Sequence, residues 1–402
     1  MRILIAPDSW KDAAAADEVA AAIARGLAAA MPRAELVQLP LADGGEGTAE
    51  LLAGLPGTIR RELVTVDALG RPTRAPVLGL PDGSAFVELA SAAGLQALGT
   101  LERDPEATST YGVGLLLREA ISLGHHEVSL ALGGSATQDL GLGLLRGLGF
   151  VLLDAGGEEL AGTGADLARL AAVRRAPGNE AYWAAFAKTR FTLVCDVDNP
   201  ALGERGTART YAAQKGAAAA AVERLEAGGA RAVSVLEAHR QRRLAPTQPL
   251  PPLVSMPGGG AAGGVAVGLS AVADVRLAPG APYVLAACGF DARLERADLV
   301  LTAEGSLDVQ TGNGKLVAEV ARRCAAAGLP CVALCGALGL GAAGVRALGL
   351  TAALPVGRGP RVLAEALADT LPDLERTAAQ VGRLLSLGGL YPAGADPTNA
   401  SP

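Results

Sequence analysis

Residues 2–44 read RILIAPDSWKDAAAADEVAAAIARGLAAAMPRAELVQLPLADG. The apolar run at 2–6 stops at the turn-forming Pro7-Asp8-Ser9, which predicts a short strand running into a tight loop. In DEVAAAIARGLAAAM a helical repeat places Val19, Ala22, Ile23, Gly26, Leu27 and Ala30 on one face. A second strand-like run, AELVQLPLAD at 34–43, breaks at Gly44-Gly45, where a further helix begins. Alternation of this kind predicts a parallel sheet flanked by helices.

The C-terminal third has the same grammar. ADLVLTAEG (297–305) reads as strand into loop, KLVAEVARRCAAAG (315–328) as helix and LPCVALCGAL (329–338) as strand. Residues 360–389, from Pro360 to Gly389, read as one long helix. The middle differs. Residues 59–90 are strand-like runs punctuated by Leu-Gly-Arg-Pro and Pro-Asp-Gly, which predicts antiparallel hairpins. YGVGLLLREAISLG (111–124) is helical with Gly124 as its stop, and HEVSLAL (126–132) is a strand running into GGSATQD. The expected architecture is therefore α/β. A parallel-sheet, Rossmann/flavodoxin-like domain is built from both termini (1–62 and 290–390), a second mixed α/β domain (63–289) is inserted in it, and 391–402 form a tail. A cleft between two such domains is a natural ligand site.

Composition removes several function classes. The chain has 402 residues, 53 of them Gly, 3% are aromatic, and its net charge is −6. Without a basic stripe, a nucleic-acid partner is not expected. Every apolar run is broken well before the ~18 residues of a membrane span, so a cytoplasmic protein with no membrane partner is expected. The five cysteines have no C-x-x-C spacing, which argues against a zinc site or disulfide framework. The three histidines, His125, His126 and His239, match no metal spacing and accompany no Gly-x-Ser-x-Gly. Chemistry is left to carboxylates, lysines and backbone amides. Phosphoryl transfer is mostly positioning and charge neutralisation, and needs little else.

Loops after strands are where open α/β sheets place ligands. APDSWK (6–11) offers Asp8, Ser9 and Lys11, and LADGGEGT (41–48) offers Asp43 and Glu46. ALGGSATQDLG (131–141) presents Gly133, Gly134, Ser135, Ala136, Thr137 and Asp139 at a helix start, a plausible phosphate cradle although not a Walker A loop. LVCDVDNPALGERG (193–206) carries Asp196 and Asp198, two apart on a strand end and so on one side, with Asn199 beside them. Like charges that close need a cation or a proton. LTAEGSLDVQTGNGK (301–315) crowds Glu304, Asp308 and Lys315 among glycines. GGGAAGGVAVG (258–268) has neither a preceding strand nor a ribose-binding acid and is not a dinucleotide fingerprint.

These segments, in this order, resemble the bacterial glycerate kinase family. The matching motifs are APDSWK, ADGGEGT (42–48), GGSATQD (133–139), CDVDNPALG (195–203), AQKG (213–216), GAAGG (260–264) and TAEGSLDVQT (302–311), followed by Gly314-Lys315. Trp10, Gln138, Ala213, Ala303 and Ser306 stand where the family has Phe, Asn, Pro, Gly and Arg. The resemblance implies ATP-dependent phosphorylation of D-glycerate, generally to 2-phosphoglycerate, with ATP and Mg²⁺ and as a monomer or homodimer. A kinase for another small hydroxy acid or sugar, or a non-catalytic binding protein, is the alternative. It implies Lys11, Lys315, Asp196 and Asp198 as the catalytic set, and Asp8, Ser9, Asp43, Glu46 and Asn199 around the substrate. Residues 133–137 and Asp139 would hold nucleotide phosphates. The metal ligands would come from Asp198, Glu304 and Asp308, with the choice between the aspartate pair and Glu304–Asp308 open.

Overall fold

The structure, a computed structural model, describes residues 1–45, 47–244, 251–308, 311 and 315–387. The chain divides into two compact units, Met1–Asp43 with Ala281–Pro402, and Gly44–Gly280. Its strands are numbered along the chain. The first unit holds β1 (Arg2–Ile5), β2 (Glu35–Gln38), β11 (Leu299–Leu307), β12 (Cys331–Leu338) and β13 (Ala352–Pro355). The second holds β3 (Ile59–Val66), β4 (Pro72–Gly79), β5 (Ala85–Glu88), β6 (Glu127–Ala131), β7 (Phe150–Leu153), β8 (Ala172–Arg175), β9 (Arg190–Val194) and β10 (Asp274–Ala278).

The first unit is a five-stranded sheet in the order β13-β12-β11-β1-β2, with every pair parallel. This is the flavodoxin-like order, and its direction reverses between β1 and β11, where such sheets bind ligands beyond the strand ends. The helix Ala16–Ala30 follows β1 as expected. Glu18 accepts the Ala15 amide at 2.9 Å and, with Asp17, complements the positive helix start. Its Val19, Ile23 and Leu27 join Ile3, Ile5, Leu299, Leu301, Leu374 and Ala378 in the core. At Gly26 a β-carbon would lie 2.1 Å from the Glu375 carbonyl oxygen, so only glycine lets these two helices meet backbone to backbone. The single C-terminal helix expected at 360–389 is instead two, Leu363–Ala368 and Thr370–Leu387, parted at Asp369. Pro372 explains the break: lacking an N–H, it fits the first turn of a new helix and not the interior of an old one.

In the second unit the sheet runs β10-β9-β6-β5-β4-β3. The expected hairpin is present: β3 and β4 pair antiparallel from Ile59↔Gly79 to Val66↔Pro72, and β4 pairs antiparallel with β5. β5, β6, β9 and β10 are parallel neighbours. Residues 44–62, expected with the terminal segments, belong here because β3 takes its hydrogen bonds from β4, and 281–289 lie in the first unit. Among the described residues no helix is long and apolar enough to cross a membrane.

The glycine-rich stretch 258–264 is a packing device. Leu140 donates its amide to the Gly263 carbonyl at 2.9 Å, and a β-carbon on Gly263 would fall 2.0 Å from the Thr137 carbonyl oxygen. Gly263 also has φ +70°, which disfavours any side chain. Gly263→Ala is therefore expected to cost about 2–4 kcal/mol, combining backbone strain with overpacking. A urea midpoint unchanged from wild type would contradict this.

Candidate active site

At the end of the first sheet the chain keeps pairing after the strands stop. Ala6 donates its amide to the Leu301 carbonyl at 2.7 Å and Asp8 to that of Ala303 at 3.0 Å. Leu39 donates to Ile5 at 2.8 Å and Leu41 to Pro7 at 3.0 Å, which carries the segment towards Asp43. These extensions bring Asp8, Asp43 and Glu304 within electrostatic reach of one another at the β1/β11 reversal. Glu304 was expected in a loop but lies inside β11, opposite Cys335 of β12. Asp308 follows directly, with Ser306 Oγ donating to it at 3.4 Å and its own amide donating to Thr311 Oγ1 at 3.0 Å.

Negative charge exceeds positive here. Burial, with Asp43 and then Glu304 adding repulsion, pushes the Asp8 carboxyl up to about 7, although the Ser9 amide donates to it at 2.7 Å. Glu304 is raised too, first by burial and then by Asp308 and Asp43, even though Lys315 Nζ lies 3.0 Å from its Oε1. Burial alone would lower Lys315, yet Glu304, Asp308 and Asp43 raise it. An isolated ion pair lowers its acid and raises its base. Here burial is the main reason the acid rises, and Asp308 and Asp43 add repulsion that Lys315 does not cancel. Glu304 Oε2 is buried and has no hydrogen-bond partner among the described residues. Lys11 is exposed in the turn closed by Trp10 and Ala14, where Trp10 donates its amide to Ala14 at 2.8 Å. Glu46 lies outside the described residues.

The second unit has its own cavity, of about 300 Å³, beyond the ends of β6 and β9. Gly133, Gly134, Ser135, Asp196, Tyr211 and Lys215 are among the residues lining it. The loop is held from behind: Leu95 donates to the Gly134 carbonyl and Ala136 to that of Ala93, both at 2.8 Å. The amides of Gly133, Gly134 and Ser135 donate to no group among the described residues. Ala136, Thr137 and Asp139, grouped with them on sequence, lie buried behind this wall. Asp139 is wholly enclosed, and burial raises its carboxyl. It accepts the Thr110 amide and Thr110 Oγ1, each at 2.7 Å, the Gly141 amide at 3.0 Å and the Gly143 amide at 3.2 Å. Its oxygens are thereby committed to holding the loop against Thr110. Gln138 ties the same loop to Thr207, donating Nε2 to the carbonyl at 2.7 Å and accepting Oγ1 at 3.0 Å.

Asp196 and Asp198 do not form the expected same-sided pair. β9 ends at Val194, so the alternation of a strand does not reach them. Asp196 lines the cavity and accepts the Gly280 amide through Oδ1 at 2.8 Å. Asp198 is three-quarters exposed and pairs with Arg205 at 2.6 Å. Asn199 donates to the Arg205 carbonyl at 2.8 Å and accepts Tyr211 Oη at 2.7 Å. Lys215 is the residue that reading the loops one by one passed over. Its signal was the AQKG motif, where Gly216, at φ +99°, ends a 3-10 turn at a place where a β-carbon would fall 2.1 Å from the Arg103 carbonyl oxygen.

Comparison with known proteins agrees with the motif order. A model of the glycerate kinase family matches residues 3–386. A glycerate kinase of Halalkalibacterium halodurans is 36% identical over 87% of this chain and 89% of its own length. Escherichia coli K12 glycerate 2-kinase is 32% identical over 96% and 99%. A Salmonella typhimurium LT2 crystal structure, provisionally assigned as glycerate kinase 2, superposes with a TM-score of 0.83 at 33% identity, covering 97% of this chain and 99% of that one. The chain is a mixed α/β protein that belongs to the glycerate kinase family.

Proposed function

We propose that this chain transfers the γ-phosphoryl group of ATP to the 2-hydroxyl of D-glycerate, giving 2-phosphoglycerate and ADP. The observation that carries the reading is the set of carboxylates gathered around Lys315 at the β1/β11 reversal, in a chain whose relatives are glycerate kinases. Lys315 and Lys11 supply positive charge for the glycerate carboxylate. Asp8, with a carboxyl near neutrality, accepts the hydroxyl proton as attack begins, since a base poised near the working pH transfers protons best. In the second unit the free amides of Gly133, Gly134 and Ser135 hold nucleotide phosphates.

The donors also suit Mg²⁺. Among the described residues no three His, Cys, Asp or Glu side chains form a metal cage by themselves. Mg²⁺ characteristically takes one or two carboxylates and fills its shell with water and substrate phosphate. The unpartnered Glu304 Oε2, with Asp308 two residues past Ser306, supplies such a pair. When bound, the ion would neutralise phosphate charge.

The test is an ADP-release assay with ATP and a panel of D-glycerate, other small hydroxy acids and sugars, followed by phosphorus NMR of the product. D-glycerate is expected to react fastest and to yield the 2-phosphate. Faster turnover of another acceptor, or none at all, would remove the assignment. Asp198→Asn is expected to change kcat less than about threefold, because an exposed ion pair contributes little. A large loss there would return Asp198 to the catalytic set.

A further inference from the structure

We propose that Lys215 is the cation of the nucleotide site, its ammonium pairing with a phosphate group of the bound nucleotide in the cavity beyond β6 and β9. This rests on the reading that the loop at 133–135 holds nucleotide. The residue is 2% exposed, yet it lines the cavity. Its Nζ donates to Ser135 Oγ at 2.8 Å and to the Thr137 carbonyl at 2.7 Å. Both acceptors are neutral, and the third N–H has no acceptor among the described residues. Asp139 is the acid that acts on Lys215 electrostatically, but its oxygens are occupied by Thr110, Gly141 and Gly143.

A lysine buried this deeply, its neighbouring acid already committed to other donors, gains most from its charge when an anion arrives, and its place beside unpartnered amides makes an anion site. The surroundings fix it in place. Gly263 packs against the carbonyl that Lys215 uses, and Gly216 lets the 3-10 turn close against Arg103. Burial pushes Lys215 down to about 7, partly offset by Asp139. Facing the same cavity are Asp196, Cys195 and Tyr211, and burial raises both the Cys195 thiol and the Tyr211 hydroxyl. At pH 8 an arriving phosphate therefore finds Lys215 largely neutral, and binding must draw in a proton.

Calorimetric titration of Mg²⁺-ADP into the wild type and Lys215→Met at pH 8, in buffers of different ionisation enthalpy, reads this directly. The wild type is expected to take up a substantial fraction of a proton per ADP. Lys215→Met is expected to bind ADP at least about tenfold more weakly, to bind adenosine unchanged and to lose the uptake. Equal ADP affinity and equal proton uptake in the two proteins would overturn the role of Lys215 alone. Weakened D-glycerate binding with ADP unaffected would overturn it as well, in favour of a substrate carboxylate. A wild type that binds no ADP would remove the nucleotide reading and this inference together. If Lys215→Met does not fold, the wild-type titration decides: zero uptake overturns the proposal.

Discussion

Replacing Asp8 by Asn is expected to lower kcat with D-glycerate by ~10²–10⁴-fold, the scale of losing a positioned acid–base group. The same change should make the protein more stable at pH 8. Asp8 has its folded pKa raised from 3.8 to about 7. Its contribution to stability is thus fully present below pH 3.8 and lost as the pH rises through 7, because above that a carboxylate must sit beside Asp43 and Glu304. Asn is neutral at every pH and escapes the repulsion. Thermal unfolding should show Asp8→Asn gaining over wild type at pH 8 and matching it near pH 4. A purely structural Asp8 predicts the reverse, a variant less stable at both. Full activity in Asp8→Asn would move the proton acceptor elsewhere.

Asp139→Ala is the largest stability effect expected. It leaves Thr110 N, Thr110 Oγ1, Gly141 N and Gly143 N without their acceptor in a site closed to water. At about 1–3 kcal/mol for each donor stranded, with partial relaxation, a loss of about 4 kcal/mol is expected. That is a large part of the total stability of a typical domain. Chemical denaturation should show it as a lower midpoint with an unchanged slope. A loss under about 1 kcal/mol would mean that the loop finds other acceptors and that Asp139 does not brace the cavity wall.

Elements whose pattern is local were legible in the sequence. The strand–helix–strand start and the β3/β4 hairpin depend on short-range periodicity and on turns such as Asp67–Gly70, where Asp67 Oδ1 accepts the Leu69 and Arg71 amides at 2.9 Å. What failed depends on partners far along the chain. Glu304 looked like a loop residue because Glu and Gly are poor strand formers, but β12 pairs with β11 as far as Leu307↔Leu338. The paired aspartates looked like one strand face, but β9 stops short and each takes a separate partner. A lone Lys215 in an alanine-rich stretch reads as a solvated side chain. The groups that meet its ammonium, Ser135 Oγ and the Thr137 carbonyl, come from 80 and 78 positions away. Motif order identified the family without geometry, since it preserves which loops matter but not what each side chain touches.

The placement of β1 has a consequence for biosynthesis. It sits in the interior of its sheet, between β2 and β11, and Arg2 donates its amide to Asp298 across 296 positions of chain. The second unit is continuous in sequence, so its contacts can close while translation proceeds. β1 leaves the ribosome long before its partner β11 and must wait for it, with one edge unpaired throughout. Long loop closure slows folding more than it weakens the product. The unit from Gly44 to Gly280 is therefore expected to gain protease resistance on the nascent chain first, and the terminal sheet only after β12 and β13 have emerged.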